Sequence, residues 1–164
     1  MTSIIKVDTI QTAAGGTPTA SSLGIGGTGK IGQVVQSTST TQTCTTSTSY
    51  TATSFSATIT PSSTSSKIFG FLQCRPYTSV AGEELFLKIT GGGTTQWEGA
   101  TVFNGSGGAN TAVNMTITFE SSPNTTSAIT YSVSIRSANG NNVCLQVNGS
   151  ADGTGRMTLM EVLA

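Results

Sequence analysis

Three closely spaced segments near the end of the chain, 128–137, 142–148 and 155–164, restrict it to β structure. In the first, Tyr131, Val133 and Ile135 alternate with Ser132, Ser134 and Arg136. A period of two gives an extended strand one buried and one wetter face, and a helix cannot use it. Val143, Leu145 and Val147 repeat the alternation after Ala138-Asn139-Gly140-Asn141, and two such runs joined across Asn-Gly predict a β-hairpin. The last run, Met157-Thr158-Leu159-Met160-Glu161-Val162-Leu163, is apolar on both faces apart from Thr158 and Glu161. A strand written that way is expected to be covered from both sides.

The same spacing recurs upstream. Phe55, Ala57 and Ile59 alternate, as do Leu85, Leu87 and Ile89, and Met115, Ile117 and Phe119. In 67–74, Ile68, Leu72 and Cys74 share one side while Phe69 and Phe71 share the other, which predicts a strand in the middle of a sheet. Trp97 and Phe103 are expected to cap one end of the core. Thr60-Pro61-Ser62-Ser63, Arg75-Pro76, Gly91-Gly92-Gly93 and Ser121-Ser122-Pro123-Asn124 separate the runs. Counting from Ile31 gives nine or ten strands, the signature of a sandwich or closed barrel, with no helical period anywhere. Ser and Thr form about a third of the 164 residues and Gly another 20, a mixture that leans toward disorder by totals alone. The clustering of the apolar residues decides for many short Thr-rich strands instead.

Residues 1–11 read as a short strand in which Ile4, Ile5, Val7 and Ile10 flank Lys6 and Asp8. It is too short to fold alone and must pair with something. Residues 12–30, rich in Ala, Gly, Thr and Ser with Pro18 in the middle, have the composition of a linker or extended arm. The expected division is therefore an arm, 1–30, and an all-β domain, 31–164. The start of the chain has no long apolar core, so neither a signal peptide nor a membrane span is expected, and exit by lysis or assembly replaces secretion. With zero net charge and 9% charged residues, no nucleic-acid partner and no membrane partner are expected.

Sites for chemistry are scarce. Gly24, Gly26 and Gly29 match G-x-G-x-x-G, and 24–30 match the start of a phosphate-cradling loop. Both patterns need a helix to follow, yet Ile31 occupies the Ser/Thr position and Gln33-Val34-Val35-Gln36 favours a strand. The chain has no histidine, which removes Ser-His, Cys-His and most zinc arrangements, so neither an enzyme nor a bound cofactor is expected. Glu83 and Glu84, as neighbours on a strand, point to opposite faces and read as a solvated turn instead of a glycosidase pair. Cys44, Cys74 and Cys144 lack paired spacing and read as three buried small hydrophobes, with no disulfide framework.

Three segments carry a resemblance: Ile5-Lys6-Val7-Asp8-Thr9-Ile10-Gln11, the stretch from Thr58 through Thr60-Pro61-Ser62-Ser63-Thr64-Ser65-Ser66 to Ile68, and Met157-Thr158-Leu159-Met160-Glu161-Val162. Together they resemble virion proteins of tailed phages of aquatic bacteria. The resemblance implies a trimeric jelly roll similar to tumour necrosis factor and complement-head folds, placed in the virion as a short fibre, spike or capsid decoration and assembled in the host cytoplasm. The long repetitive shaft of a full-length fibre is missing. Phe69, Phe71, Phe86 and Trp97 exceed what one core can hold, which independently favours a partner subunit. Ile4, Ile5, Val7 and Ile10 are then the residues expected to dock on another virion protein of the capsid or tail, the alternative being that they cover the base of their own domain. The alternative is a host-receptor or glycan binder whose outer end carries 79–82 and 104–110. Tyr77, Trp97 and Asn104 are its candidate contacts.

Overall fold

The computed structural model describes residues 29–102, 111–146 and 154–164, apart from the side chains of Thr101, Val102 and Thr111. Alternation becomes two four-stranded antiparallel sheets. The first joins β1 (Ile31–Ser39), β12 (Gly155–Val162), β4 (Lys67–Cys74) and β9 (Met115–Ser121), in that order. The second joins β3 (Thr51–Ile59), β10 (Ile129–Ser137), β6 (Glu84–Gly91) and β7 (Thr94–Val102). Their inner faces meet in one core. Phe55, Ile59, Ile68, Leu72, Leu85, Leu87, Ile89, Ile135, Met157 and Leu159 are fully buried there. Burying a side chain of this size stabilises the fold by about 1.5–3 kcal/mol. The Phe119 ring fills the space that a side chain on Gly70 of the neighbouring strand would need, so Gly70 cannot be larger without displacing it.

The connections explain the architecture. Four short strands, β2 (Thr43–Thr45), β5 (Pro76–Thr78), β8 (Thr111–Ala112) and β11 (Val143–Leu145), form a third sheet in the order β2-β11-β5-β8. Each lies on a crossover between the large sheets: β1 to β3, β4 to β6, β7 to β9 and β10 to β12. The third sheet therefore closes one pole of the sandwich. The opposite pole is open, with no sheet across it among the described residues. It holds the connections β3–β4 and β9–β10, the β6–β7 turn, and both chain ends of the domain, where Gly29 N–H bonds Leu163 O at 2.6 Å and Leu163 N–H bonds Lys30 O at 2.8 Å. This winding is the jelly-roll sandwich expected above, with eight long strands and four short ones among the described residues where nine or ten were counted.

Two strand-level expectations change. Residues 129–137 and 143–145 are strands, but they do not form a hairpin: β10 pairs β3 and β6, while β11 pairs β2 and β5. The Asn-Gly turn is present, with Gly140 at φ +85°, and it delivers the chain to another sheet. β12 is flanked in its sheet by β1 and β4, yet only its Met157, Leu159 and Glu161 face is buried; Thr158, Met160 and Val162 remain half-buried on the outside. Among the described residues its second face is left half-buried.

Candidate functional site

The outer face of the first sheet is built by the residues left over from the inward alternation. Val34 stands opposite Met160, which stands opposite Phe69; in the adjacent row Thr158 stands opposite Phe71. Val34 is 56% exposed, Ile31 51% and Phe71 37%, with Phe69, Met160 and Val162 half-buried beside them. These rows form one apolar stripe crossing β1, β12 and β4. Polar groups border it. Gln36 Nε2 donates to Thr158 Oγ1 at 3.1 Å, and Lys67 Nζ pairs with Glu120 at 2.5 Å. The fourth strand contributes Thr118 and Glu120, so the stripe ends in self-compensated charge. Exposed apolar side chains gathered with a polar border are the surface property of a protein contact.

The stripe is held by a carboxylate beneath it. Glu161, inward-facing on β12 and buried, accepts the Ser62 N–H at 2.6 Å, the Ser62 hydroxyl at 2.7 Å and Gln33 Nε2 at 2.7 Å. Gln33 Nε2 also donates to Thr60 O at 2.6 Å. Burial alone would push the Glu161 carboxyl up. The donors from Gln33 and Ser62 outweigh it and hold the pKa at about 2. The β3–β4 connection is thereby tied to β12, so segments 58–68 and 157–162 touch at this carboxylate.

A second buried carboxylate organises the closed pole. Glu83 is 1% exposed, which corrects its reading as part of a solvated turn. Its Oε1 accepts the Ser137 hydroxyl at 2.9 Å and the Ala138 and Asn139 N–H groups at 3.0 Å each; Oε2 accepts Asn141 Nδ2 at 2.7 Å. Burial pushes its pKa up, but the Asn141, Asn139, Ser137 and Ala138 donors bring it below the ordinary carboxylate value. The same pole carries a disulfide between Cys44 on β2 and Cys144 on β11, which corrects the reading of three free thiols. Facing positions in an antiparallel pair bring two cysteines into bonding range, something no sequence spacing announces. Only Cys74 fits the buried-hydrophobe reading, and burial pushes its thiol up to about 12, so it is no nucleophile.

Other expected site residues are dispersed. Tyr77 is half-buried on β5, opposite Cys144 and Ala112, at the closed pole beside the exposed Val80. Trp97, opposite Ile89 on β7, is half-buried against the core and lies over Gly99. The two do not share a face. Asn104, and the arm residues Ile4, Ile5, Val7 and Ile10, lie outside the described residues. So does most of the glycine motif at 24–30; Ile31, directly after it, begins a strand, so the helix that nucleotide binding requires is not there. Among the described residues no group of three His, Cys, Asp or Glu side chains could hold a metal ion.

No protein-family model matches this chain, and no curated protein sequence does. Solved structures of VP2 from infectious bursal disease virus are similar at a low level. Its subviral particle shares 19% identity at a TM-score of 0.38, covering 80% of this chain and 37% of that one. T=1 particles derived from the same virus give 18% identity and a TM-score of 0.40, covering 80% and 36%. This chain thus spans little more than a third of VP2.

Sequence reasoning missed three of these features: the disulfide, the Glu83 grip and the Glu161 tie. For Glu161 a signal existed, a lone carboxylate inside an otherwise apolar strand, since a buried charge must have donors waiting for it.

Proposed function

We propose that this chain is a structural protein of a bacteriophage virion, a trimeric jelly-roll appendage that serves as a short fibre, spike or capsid decoration. The observation that carries this reading is the apolar stripe of Ile31, Val34, Phe69, Phe71 and Met160, on one sheet only. Three copies that turn this face toward a common axis bury it and leave a closed assembly. The placement of the chain ends supports the attachment half of the reading. Gly29 and Lys30 lie at the open pole beside Leu163, so arms preceding them would leave one end of the assembly, with Ile4, Ile5, Val7 and Ile10 as the residues that dock on another virion protein. Three weak strand additions held together bind far more tightly than one.

Deleting residues 1–28 keeps Gly29 and its bond to Leu163. The truncated protein is expected to stay folded and trimeric and to lose binding to particles. Truncated protein that still decorates particles would rule the arm out as the attachment.

A host-receptor or glycan role for the outer end is the second reading. It is favoured by the position of Tyr77 and Val80 at the pole opposite Gly29 and Lys30. Purified protein that competes with particles for host-cell adsorption supports it; a Tyr77→Ala variant that competes equally well removes Tyr77 from the contact.

A further inference from the structure

The sandwich has a cleft of about 460 Å³ at the open pole, on the flank where the outermost strands β7 and β9 part. Thr94, Thr95 and Gln96 line one wall, Ser121, Ser122 and Asn124 the other, and Ile129 and Tyr131 reach it from β10. Its existence follows from local constraints. The Tyr131 ring occupies the space where a side chain on Gly91 would sit, so that position stays bare. Gly92 and Gly93 then turn the hairpin at φ +58° and +81°, left-handed conformations that favour glycine. The volume falls within the roughly 300–1,000 Å³ of small-molecule sites.

Its chemistry narrows the ligand. No lining residue is charged at neutral pH, so a phosphate, sulfate or acidic sugar would find no counter-charge, and a metal no carboxylate. Thr94 Oγ1 and Gln96 Nε2 already bond within the first wall, at 3.0 Å to Gly91 O and 2.6 Å to Thr94 Oγ1, but a purely apolar ligand would offer nothing to the Ser122 hydroxyl and Asn124 amide of the second. Pro123 and Ile129 add apolar surface between them. Tyr131 is fully buried, and its hydroxyl has no hydrogen-bond partner. Burial raises the pKa of that phenol, and the neighbouring Ser121 offsets part of the rise. A ligand with many neutral hydroxyls and intervening C–H faces meets all of these conditions.

We infer that this cleft binds a neutral carbohydrate, one or two sugar rings held by the hydroxyl and amide groups of both walls. The site is separate from the apolar stripe and from Tyr77, so it stands whether or not the trimer or the outer-end reading does. Affinity for a single ring in so open a polar cleft is expected around 1 mM, which corresponds to about −4 kcal/mol.

The test is an amide-resolved NMR titration of the full chain with methyl glycosides of glucose, galactose, mannose and N-acetylglucosamine. The acidic methyl glycoside of N-acetylneuraminic acid serves as the control. The expected result is saturable shifts at 91–96 and 121–125 with at least one neutral sugar, and none with the acidic one. Asn124→Gly suits the backbone there, since Asn124 sits at φ +53°, while it removes the amide. Tyr131→Phe removes only the orphan hydroxyl. Both variants are expected to stay folded and to weaken binding severalfold to about tenfold. No saturable shift with any neutral sugar, shifts at Tyr77 instead, equal binding of the acidic sugar, or unchanged binding by both variants would each overturn the assignment.

Discussion

The two large sheets have the same strand number and inner faces of the same kind, yet their outer faces solve opposite problems. On the second sheet, Phe86 is covered: the Arg136 guanidinium lies 3.7 Å from its ring centre and 5.4 Å from that of Tyr50. Lys88 Nζ lies 4.1 Å from the Tyr50 ring, and the Tyr50 hydroxyl donates to Glu98 at 2.9 Å. Cations stacked on aromatic faces present charge to water while hiding the rings. On the first sheet, among the described residues, no cation covers Val34 or Phe71, and both are exposed. The chain thus screens Phe86 on one sheet and leaves Val34 and Phe71 exposed on the other, the contrast on which the proposed subunit contact rests.

The largest effect expected from this contrast is in association. Phe71→Asp should shift the trimer to monomer, weakening association more than about 30-fold, the loss typical of a central interface residue worth roughly 2 kcal/mol or more. Its monomer should unfold within about 0.5 kcal/mol of the parent, because Phe71 lies outside the core. A trimer that survives the substitution places the interface elsewhere. Next comes the closed pole. Cys44→Ser opens a covalent link between residues 100 apart in sequence and is expected to cost about 2–4 kcal/mol in chemical denaturation. The subunit count should not change, since the apolar stripe is on another face; if it does change, the faces are coupled through the third sheet.

Acid probes the layer under the bare face. The Glu161 carboxyl is held at about 2 against an ordinary 4.5, a lowered value, so its stabilisation is complete above pH 4.5 and is lost as pH falls toward 2. The difference is worth roughly 3 kcal/mol. Urea midpoints measured from pH 6 to pH 2 should fall across that window, and Glu161→Gln should flatten the part of the slope due to this group. Smallest is the covered face. Arg136→Ala is expected to cost about 1 kcal/mol in thermal denaturation and to leave the subunit count unchanged. A dissociated Arg136→Ala protein would reverse the roles assigned to the two faces.

What could be read in the sequence was whatever is decided locally. Leu85, Leu87 and Ile89 alternate and are all fully buried, because strand periodicity is a property of neighbouring residues. Phe69 and Phe71, set apart as excess to one core, do face outward; Phe86 and Trp97, grouped with them, are covered by Arg136 and packed against the core, which depends on residues far away in sequence. The hairpin expectation failed for the same reason. Asn-Gly fixes a reversal, but the partner of Val143–Leu145 is chosen by β2 and β5, and Glu83, more than fifty positions upstream, pins the turn. Cys44 and Cys144 meet only because two crossovers converge at one pole. Of the docking and outer-end candidates, Tyr77 and Trp97 are placed, and on separate faces.

Sedimentation equilibrium of the purified full chain tests the central claim most directly, because everything said of the bare face reduces to the number of chains it holds together. The expected mass is three times the 16.6 kDa of one chain, falling to a single chain in Phe71→Asp. A folded parent protein that sediments as one 16.6 kDa chain at every concentration would contradict it.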